Sequence, residues 1–458
     1  MLPRLWGNGH LSSIDAGVLS YLRETLGISY VWYTGIIRHA SGQLDWTKGE
    51  AGSPYAIEDY FDINPYLADV TEDRMDEFKD LVKRTHAAGL KVIIDFVPNH
   101  LARNCTPFFG GKDDKTVHWK PENDFYYYPG QKLKLPVEST WEEDPARATG
   151  NAFTPEPGIN DWYETVKLNY CDFRTPTWDK MLQVLKYWKA MGVDGFRCDM
   201  VELIPREAIS FLIEEVRRDY PGTVFIAEVY NVDSYRYYAL EAGFDALYDK
   251  SGLYDCLFAI VRGYGSARGI TANWQRLGDI QPLMLNFLEN HDEVRLAGDL
   301  FAGSASRSFA ALYVSLLFNT CPFMLYAGGE VGEKGPTSIF DWQHPKSLVQ
   351  LENYIKGAKS LPRESASVLK RYISLLKYSQ EDIIRYGSTY DLAYCNGNED
   401  RHFAFLRSYK GESHLIYANF SPEDADVQVF VPGRALSTGK DRTVSVKVKA
   451  FDGKIIEL

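Results

Sequence analysis

The chain has 458 residues, more than one hydrophobic core usually takes, so one large domain plus smaller ones is expected. Hydrophobic residues make up 45% and charged residues 24%, as in an ordinary globular enzyme, and the net charge of −12 excludes a nucleic-acid backbone as partner. No apolar run is long enough to span a membrane, and MLPRLWGNGHLSS has no signal-peptide core, so a cytoplasmic location is expected unless a leader was removed before residue 1.

Strand-like runs alternate with helical patterns in chain order. ISYVWYTGI (28–36) reads as a strand, residues 73–89 as a helix and LKVIIDFV (90–97) as a strand. A helix over 177–192 leads into DGFRCD, and a helix over 206–220 into TVFIAEVY (223–230). PLMLNFLENHD (282–292) and CPFMLYAG (321–328) are strands around a helix over 306–320, and 367–379 is a last helix. Continuous apolar strands joined by helices imply a parallel sheet covered by helices. Weaker units near 5–7 and 243–248 bring the count to about eight strands, which favours an α/β closed (β/α)8 TIM barrel over a doubly wound sheet. No glycine-rich phosphate loop follows the first strand.

Two regions break the rhythm. Residues 101–168, rich in Pro, Gly, Asn, Asp and aromatics, are too long for a connection and read as an inserted domain after strand three. Residues 380–458 hold short strand-like runs separated by Gly, Asp and Asn, the pattern of an antiparallel β-sandwich. The barrel then comprises 1–100 and 169–379.

Polar groups gather where strands end. Asp95, Asn99 and His100 close one strand, Arg197 and Asp199 the next, then Glu228, then Asn290, His291 and Asp292. In GFRCDM (195–200), Arg197 and Asp199 share one face of a strand. A buried structural ion pair is one reading; a carboxylate kept ionised for attack is the other. In a parallel barrel all these ends converge on one face. Three carboxylates beside an arginine, with no thiolate metal set, suit glycoside hydrolysis, in which one carboxylate attacks and another donates a proton. The apolar run before Glu228 would favour its protonated form, and Asp292 would balance developing positive charge. His100 and His291 suit hydroxyl groups; as a pair they lack a third metal ligand. The six cysteines are scattered without a CxxC pair, which indicates neither a zinc site nor a disulfide framework. Trp46, Trp141 and Trp162 lie in loop-like segments; stacking on sugar and simple packing are both open to them.

The segments DFVPNH (95–100), GFRCDM (195–200), IAEVY (226–230) and FLENHD (287–292) resemble the four ordered motifs of the α-amylase family, glycoside hydrolase family 13, with the pattern of bacterial α-amylases. The resemblance implies a barrel with an inserted domain B and a C-terminal domain C. It implies Asp199 as nucleophile, Glu228 as acid/base and Asp292 as transition-state stabiliser. Arg197, His100 and His291 match residues around the −1 sugar, and Asp95 matches a support for the arginine. PYAIEDYFDINP (54–65) is similar to the stretch supplying a stacking tyrosine, here Tyr55. The implied partner is an α-glucan or malto-oligosaccharide. The expected reaction is retaining, endo-acting hydrolysis of α-1,4 bonds in starch, glycogen or maltodextrin. Exo-acting α-glucosidase or 4-α-glucanotransferase action is the alternative, and a non-catalytic glucan-binding or partner subunit the remote one.

Three positions depart from the family pattern. Many members bind calcium between barrel and domain B through the motif Asn, an Asp and a His; Asn99 is kept, but Lys167 and Leu203 occupy the other two positions. An ammonium and an alkyl group cannot ligate a hard cation. No cofactor is therefore expected, with Asn99 the one matching ligand if a calcium site survives. Glu202 stands where many amylases have a Lys facing the +1 sugar, so it is read as a substrate contact that alters acceptor preference.

Overall fold

A computed structural model describes residues 1–42 and 44–458. Seven parallel strands form its central sheet, in the order β1 Tyr30–Tyr33, β2 Lys91–Phe96, β3 Gly195–Cys198, β4 Val224–Ala227, β5 Ala246–Tyr248, β6 Met284–Phe287 and β7 Phe323–Met324. The residues of β2 to β6 are buried almost throughout, because helices cover the outside and side chains fill the inside, while β1 is buried only at Val31 and Tyr33 and β7 is half-buried. Chain order equals spatial order, as in a (β/α)8 barrel.

The helices follow their apolar periods. In α2 (Arg74–Ala87) the buried residues are Phe78, Leu81, Val82 and Thr85, one stripe at helical spacing. It stops before Gly89, whose φ of +74° a side chain would resist. Likewise α4 (Arg206–Asp219) buries Ala208, Ile209, Leu212, Ile213 and Val216, with Glu207 in its first turn and Arg217 and Arg218 in its last. Helices α1 (Ala16–Ser20), α3 (Pro176–Ala190), α5 (Tyr235–Leu240), α6 (Asp255–Arg262), α7 (Arg268–Leu277), α8 (Phe309–Leu317), α9 (Lys346–Ile355), α10 (Arg363–Ser379) and the short α11 (Asp382–Arg385) complete the α-helices of the described residues.

The unit expected at 5–7 is not a strand. Pro3–Leu5 form a 3-10 turn, because Pro3 has no amide hydrogen to give a sheet and its fixed φ suits a tight turn. The strand at 246–248 is present.

Between β2 and α3 the chain leaves the barrel. Its first strand there, His100–Ala102, pairs antiparallel with Thr165–Lys167, and Tyr127–Tyr128 pairs with Ala146–Arg147. The rest is turns held by polar contacts, among them a buried Arg103–Glu143–Arg147 cluster. After α10, a four-stranded antiparallel sheet runs β8 (Ser388–Asp391), β9 (His402–Tyr409), β10 (Glu412–Asn419), β13 (Gly453–Glu457). A hairpin of β11 (Ala425–Val431) and β12 (Arg442–Val448) lies over it. Alternation divides β9 between two cores: Phe403 and Phe405 face Phe318 at the end of α8, while Ala404 and Leu406 pack with Val429, Val431 and Val446.

Candidate active site

Register brings the polar residues together. Asp95 on β2 and Ile226 on β4 both lie opposite Arg197 on β3. One step further, the Asp199 amide donates to Phe96 O (2.9 Å) and the Glu228 amide to Cys198 O (3.1 Å), so both acids stand at the C-terminal rim on neighbouring strands. Asp292 arrives from the loop after β6, where Asn290 Oδ1 accepts from the Asp292 and Glu293 amides and fixes the turn.

One guanidinium organises the acids. Arg197 is fully buried, and its Nη1 donates to Asp199 Oδ1 at 2.7 Å, with Asp95 Oδ1 at 3.5 Å. Its Nη2 lies 2.7 Å from Glu228 Oε1 and 3.8 Å from Asp292 Oδ2. Asp199 and Glu228 therefore flank the two ends of one planar fork, compatible with the roughly 5–5.5 Å carboxyl separation of retaining glycosidases. The rings of Trp32, Tyr55 and Tyr248 surround the guanidinium, with centroids 5.3, 5.4 and 5.6 Å from its carbon.

Burial would lower the basicity of Arg197, but the surrounding acids, Glu228 foremost, outweigh it and keep it charged. Burial pushes the Asp199 carboxyl well above the usual range; Arg197 opposes this, while Glu228 and Asp95 add to it. Burial alone would also raise Asp292, yet His291 and Arg197 hold it below the usual carboxylate range. Its side chain is 33% exposed, the most open of the three acids.

Glu228 is further held by the Met200 amide (2.9 Å) and the Tyr230 hydroxyl (2.8 Å). Met200 has φ +44°, a left-handed conformation that costs a non-glycine residue energy and aims its N–H at Glu228. The Tyr55 hydroxyl bonds His291 Nε2, and the two rings stack at 5.6 Å. His100 is buried, with its pKa lowered to about 3 by burial and by Lys167, so it is a neutral imidazole. Asn99 lies beside it, 3.1 Å from Nδ1.

Of the residues singled out from sequence, Arg197, Asp199, Glu228, Asp292, Asp95, Tyr55 and His291 thus share one site. Glu202 is tied instead to the loop after β4, where its carboxylate accepts from the Tyr230 (2.8 Å) and Asn231 (3.2 Å) amides. Lys167 Nζ donates to Asn99 Oδ1 and to Leu203 O (2.8 Å). An ammonium at the centre of that oxygen set does not fit a hard cation, and no step is assigned to one. Trp46 and Trp141 pack on each other at 5.3 Å, while Trp162 lies 5.0 Å from His100. Tyr230, Trp32 and Tyr248 were not singled out. Tyr230 follows the acid by two residues inside a quoted motif, which was the available signal.

Reasoning from strand ends also missed a strap. Residues 44–52, after β1, touch both the insert and the loop beyond β7. Asp45 accepts from Ser139 Oγ (2.6 Å) and the Thr140 amide (2.7 Å), and Lys48 Nζ donates to Asp161 O (3.1 Å). The Ala51 amide donates to Phe340 O (2.8 Å).

The fold and the site define a class: a parallel barrel whose strand ends collect three acids around one buried arginine. The family model for the α-amylase catalytic domain matches residues 7–239, and the chain belongs to the α-amylase family. It is 25% identical over 422 residues to a cyclomaltodextrinase of Thermoanaerobacter pseudethanolicus, covering 88% of this chain and 62% of that one. It is 30% identical over 205 residues to maltase A2 of Drosophila melanogaster, covering 43% and 32%. The chain thus spans less than two thirds of these relatives' length. An α-amylase structure from Lactobacillus plantarum superposes with a TM-score of 0.71 at 20% identity, over 100% of this chain and 97% of that one, which shows the shared fold.

Proposed function

We propose that the protein is a retaining glycoside hydrolase acting on α-glucosidic bonds of α-glucans or malto-oligosaccharides. The observation that carries this reading is the pair Asp199 and Glu228 flanking the one Arg197 guanidinium. In the mechanism, Asp199 attacks the anomeric carbon as a carboxylate while Glu228, as general acid, gives its proton to the leaving oxygen. Glu228 then takes a proton from water, which attacks the glycosyl–Asp199 ester. Asp292 lies beside the positive charge that develops on the ring, Tyr55 offers a stacking face, and His100 and His291 offer polar groups for hydroxyls.

Two modes are open: internal cutting of α-1,4 bonds, and exo-action on short malto-oligosaccharides. The strap favours the second. The leaving group lies towards Glu228 on β4, so the non-reducing side lies across the barrel mouth. Residues 44–52 join the insert to the loop at 340, and this bridge is proposed to limit the room for further sugars on that side. The proposed organisation is a barrel of 1–100 and 169–379, an insert of 101–168 and a sandwich of 380–458. At the barrel–insert junction the Lys167 ammonium takes the place of calcium, so activity is expected without added metal. A cytoplasmic location goes with this reading and is supported by the six unpaired thiols. No helix among the described residues is long and apolar enough to cross a membrane.

The test is a time course on maltoheptaose with the anomeric form of the product followed by NMR. Release of α-anomeric glucose from the first minutes supports the exo reading. Mid-length products indicate internal cutting, β-anomeric product refutes retention, and an Asp199→Asn variant as active as the parent refutes the mechanism.

A further inference from the structure

Two loops at the barrel rim hold each other by exchanged carboxylates. The turn after β3 gives its Met200 amide to Glu228 Oε2 (2.9 Å). The loop after β4 gives its Tyr230 (2.8 Å) and Asn231 (3.2 Å) amides to Glu202, which stands in the 3-10 turn Val201–Leu203. Each loop thus lends an acid to the other's backbone. Asn231 Oδ1 then accepts from the Asp233 amide (3.0 Å) and opens the next turn, Val232–Ser234. A lysine at 202, the residue of many amylases at this position, has three donors and no acceptor and could not hold those amides.

What the clamp presents is the Tyr230 hydroxyl, which donates to Glu228 Oε1 at 2.8 Å. Burial, with Glu228 and Asp292 adding to it, pushes this phenol well above its ordinary range, so it stays a donor across the working pH range. The other charged or titratable groups around Glu228 are Arg197 on β3, Asp199 at the end of β3, Tyr248 on β5 and Asp292 after β6. The Tyr248 hydroxyl has no hydrogen-bond partner among the described residues, which leaves Tyr230 as the neutral side-chain donor on the acid. Such a donor favours the ionised over the protonated carboxyl. As Glu228 gives its proton to the leaving oxygen, the charge left on Oε1 meets a donor already in place.

We infer that Tyr230 is a positioning residue for Glu228, setting the strength of that acid through its hydroxyl, and that Glu202 acts one step further back by holding Tyr230 in place. This role rests on the proposed part of Glu228 as acid/base and supplies a source for its acidity.

The test compares the parent with Tyr230→Phe, Glu202→Ala and the double variant. The substrates are maltoheptaose, whose sugar leaving group needs the acid, and α-glucosyl fluoride, whose fluoride scarcely does. For Tyr230→Phe, kcat/KM on maltoheptaose at the pH optimum is expected to fall about 10-fold, and the alkaline limb of its pH profile to move up by about one pH unit, as for the loss of one hydrogen bond to a charged group. The fall on α-glucosyl fluoride is expected to be about threefold at most. Glu202→Ala is expected to move the limb the same way, and to move it no further when added to Tyr230→Phe. Equal falls on the two substrates, or a raised KM with the limb unmoved, would overturn the inference by reducing Tyr230 to a packing or sugar-stacking residue. A further shift in the double variant would overturn the part assigned to Glu202. Melting temperature reads the same bond without turnover. The hydroxyl favours the ionised acid, so the margin of the parent over Tyr230→Phe is expected to be larger at pH 7 than at pH 4. An equal margin at both would overturn the inference whether or not the chain turns over either substrate, whereas a parent inactive on both would refute the proposed function.

Discussion

Lys167 offers a quantitative test because its charge is held at a cost. Burial lowers its pKa from 10.5 to about 8. The sign follows from proton binding: between pH 8 and 10.5 the unfolded chain keeps a proton on this residue that the folded chain has released, so stability rises with pH across that window. At about 1.4 kcal/mol per pH unit, the gap amounts to at most about 3.5 kcal/mol, present as a penalty below pH 8 and relieved by pH 10.5. Lys167→Met removes that penalty but leaves Asn99 Oδ1 and Leu203 O without their donor, at about 1–3 kcal/mol for an unpaired buried group. The two terms nearly cancel, so the variant is expected within about 2 kcal/mol of the parent at pH 7. The clean readout is the difference in melting temperature between parent and variant at pH 7, 8, 9 and 10. The parent should gain on the variant steadily above pH 8, with all other titrations common to both. Parallel curves would show that Lys167 does not sit charged among those oxygens.

The same junction can be turned back into a metal site: Lys167→Asp with Leu203→His is expected to make melting temperature rise with added calcium, while the parent stays unchanged. Arg197→Lys removes the fork that spans Asp199 and Glu228, and kcat/KM is expected to fall by about 10²–10³-fold, the range for losing an oriented donor. Burial pushes the Glu330 carboxyl up to about 7 from 4.5, so its contribution to stability is lost as pH rises through that interval. Glu330→Gln should therefore melt higher than the parent at pH 8 and match it near pH 4. Asp45→Ala with Lys48→Ala removes those side-chain bonds between strap and insert while the Trp46–Trp141 packing stays, and the ratio of kcat/KM for maltoheptaose over maltose is expected to rise; an unchanged ratio would remove these bonds from the account of substrate length.

Much of this molecule is local and was readable as such. The stripe of α4, the apolar runs of β2 and β3, and the alternation of β9 each follow from side chains a few residues apart, which is why composition and period place them. The chain also determined which acids stand at strand ends, because a carboxylate following an apolar run must lie where the strand leaves the core. Tertiary structure decided what sequence spacing does not encode. Arg197 meets Glu228 and Asp292 only because strands far apart in the chain are brought into register, and no local signal sets that register. Glu202 turns to the backbone of Tyr230 and Asn231 because those amides, 28 and 29 residues away, lie within its reach after β4 folds beside β3. The strap and the ammonium at Asn99 are likewise products of distant segments meeting, where the free energy of burying a polar group depends on neighbours the linear order does not name.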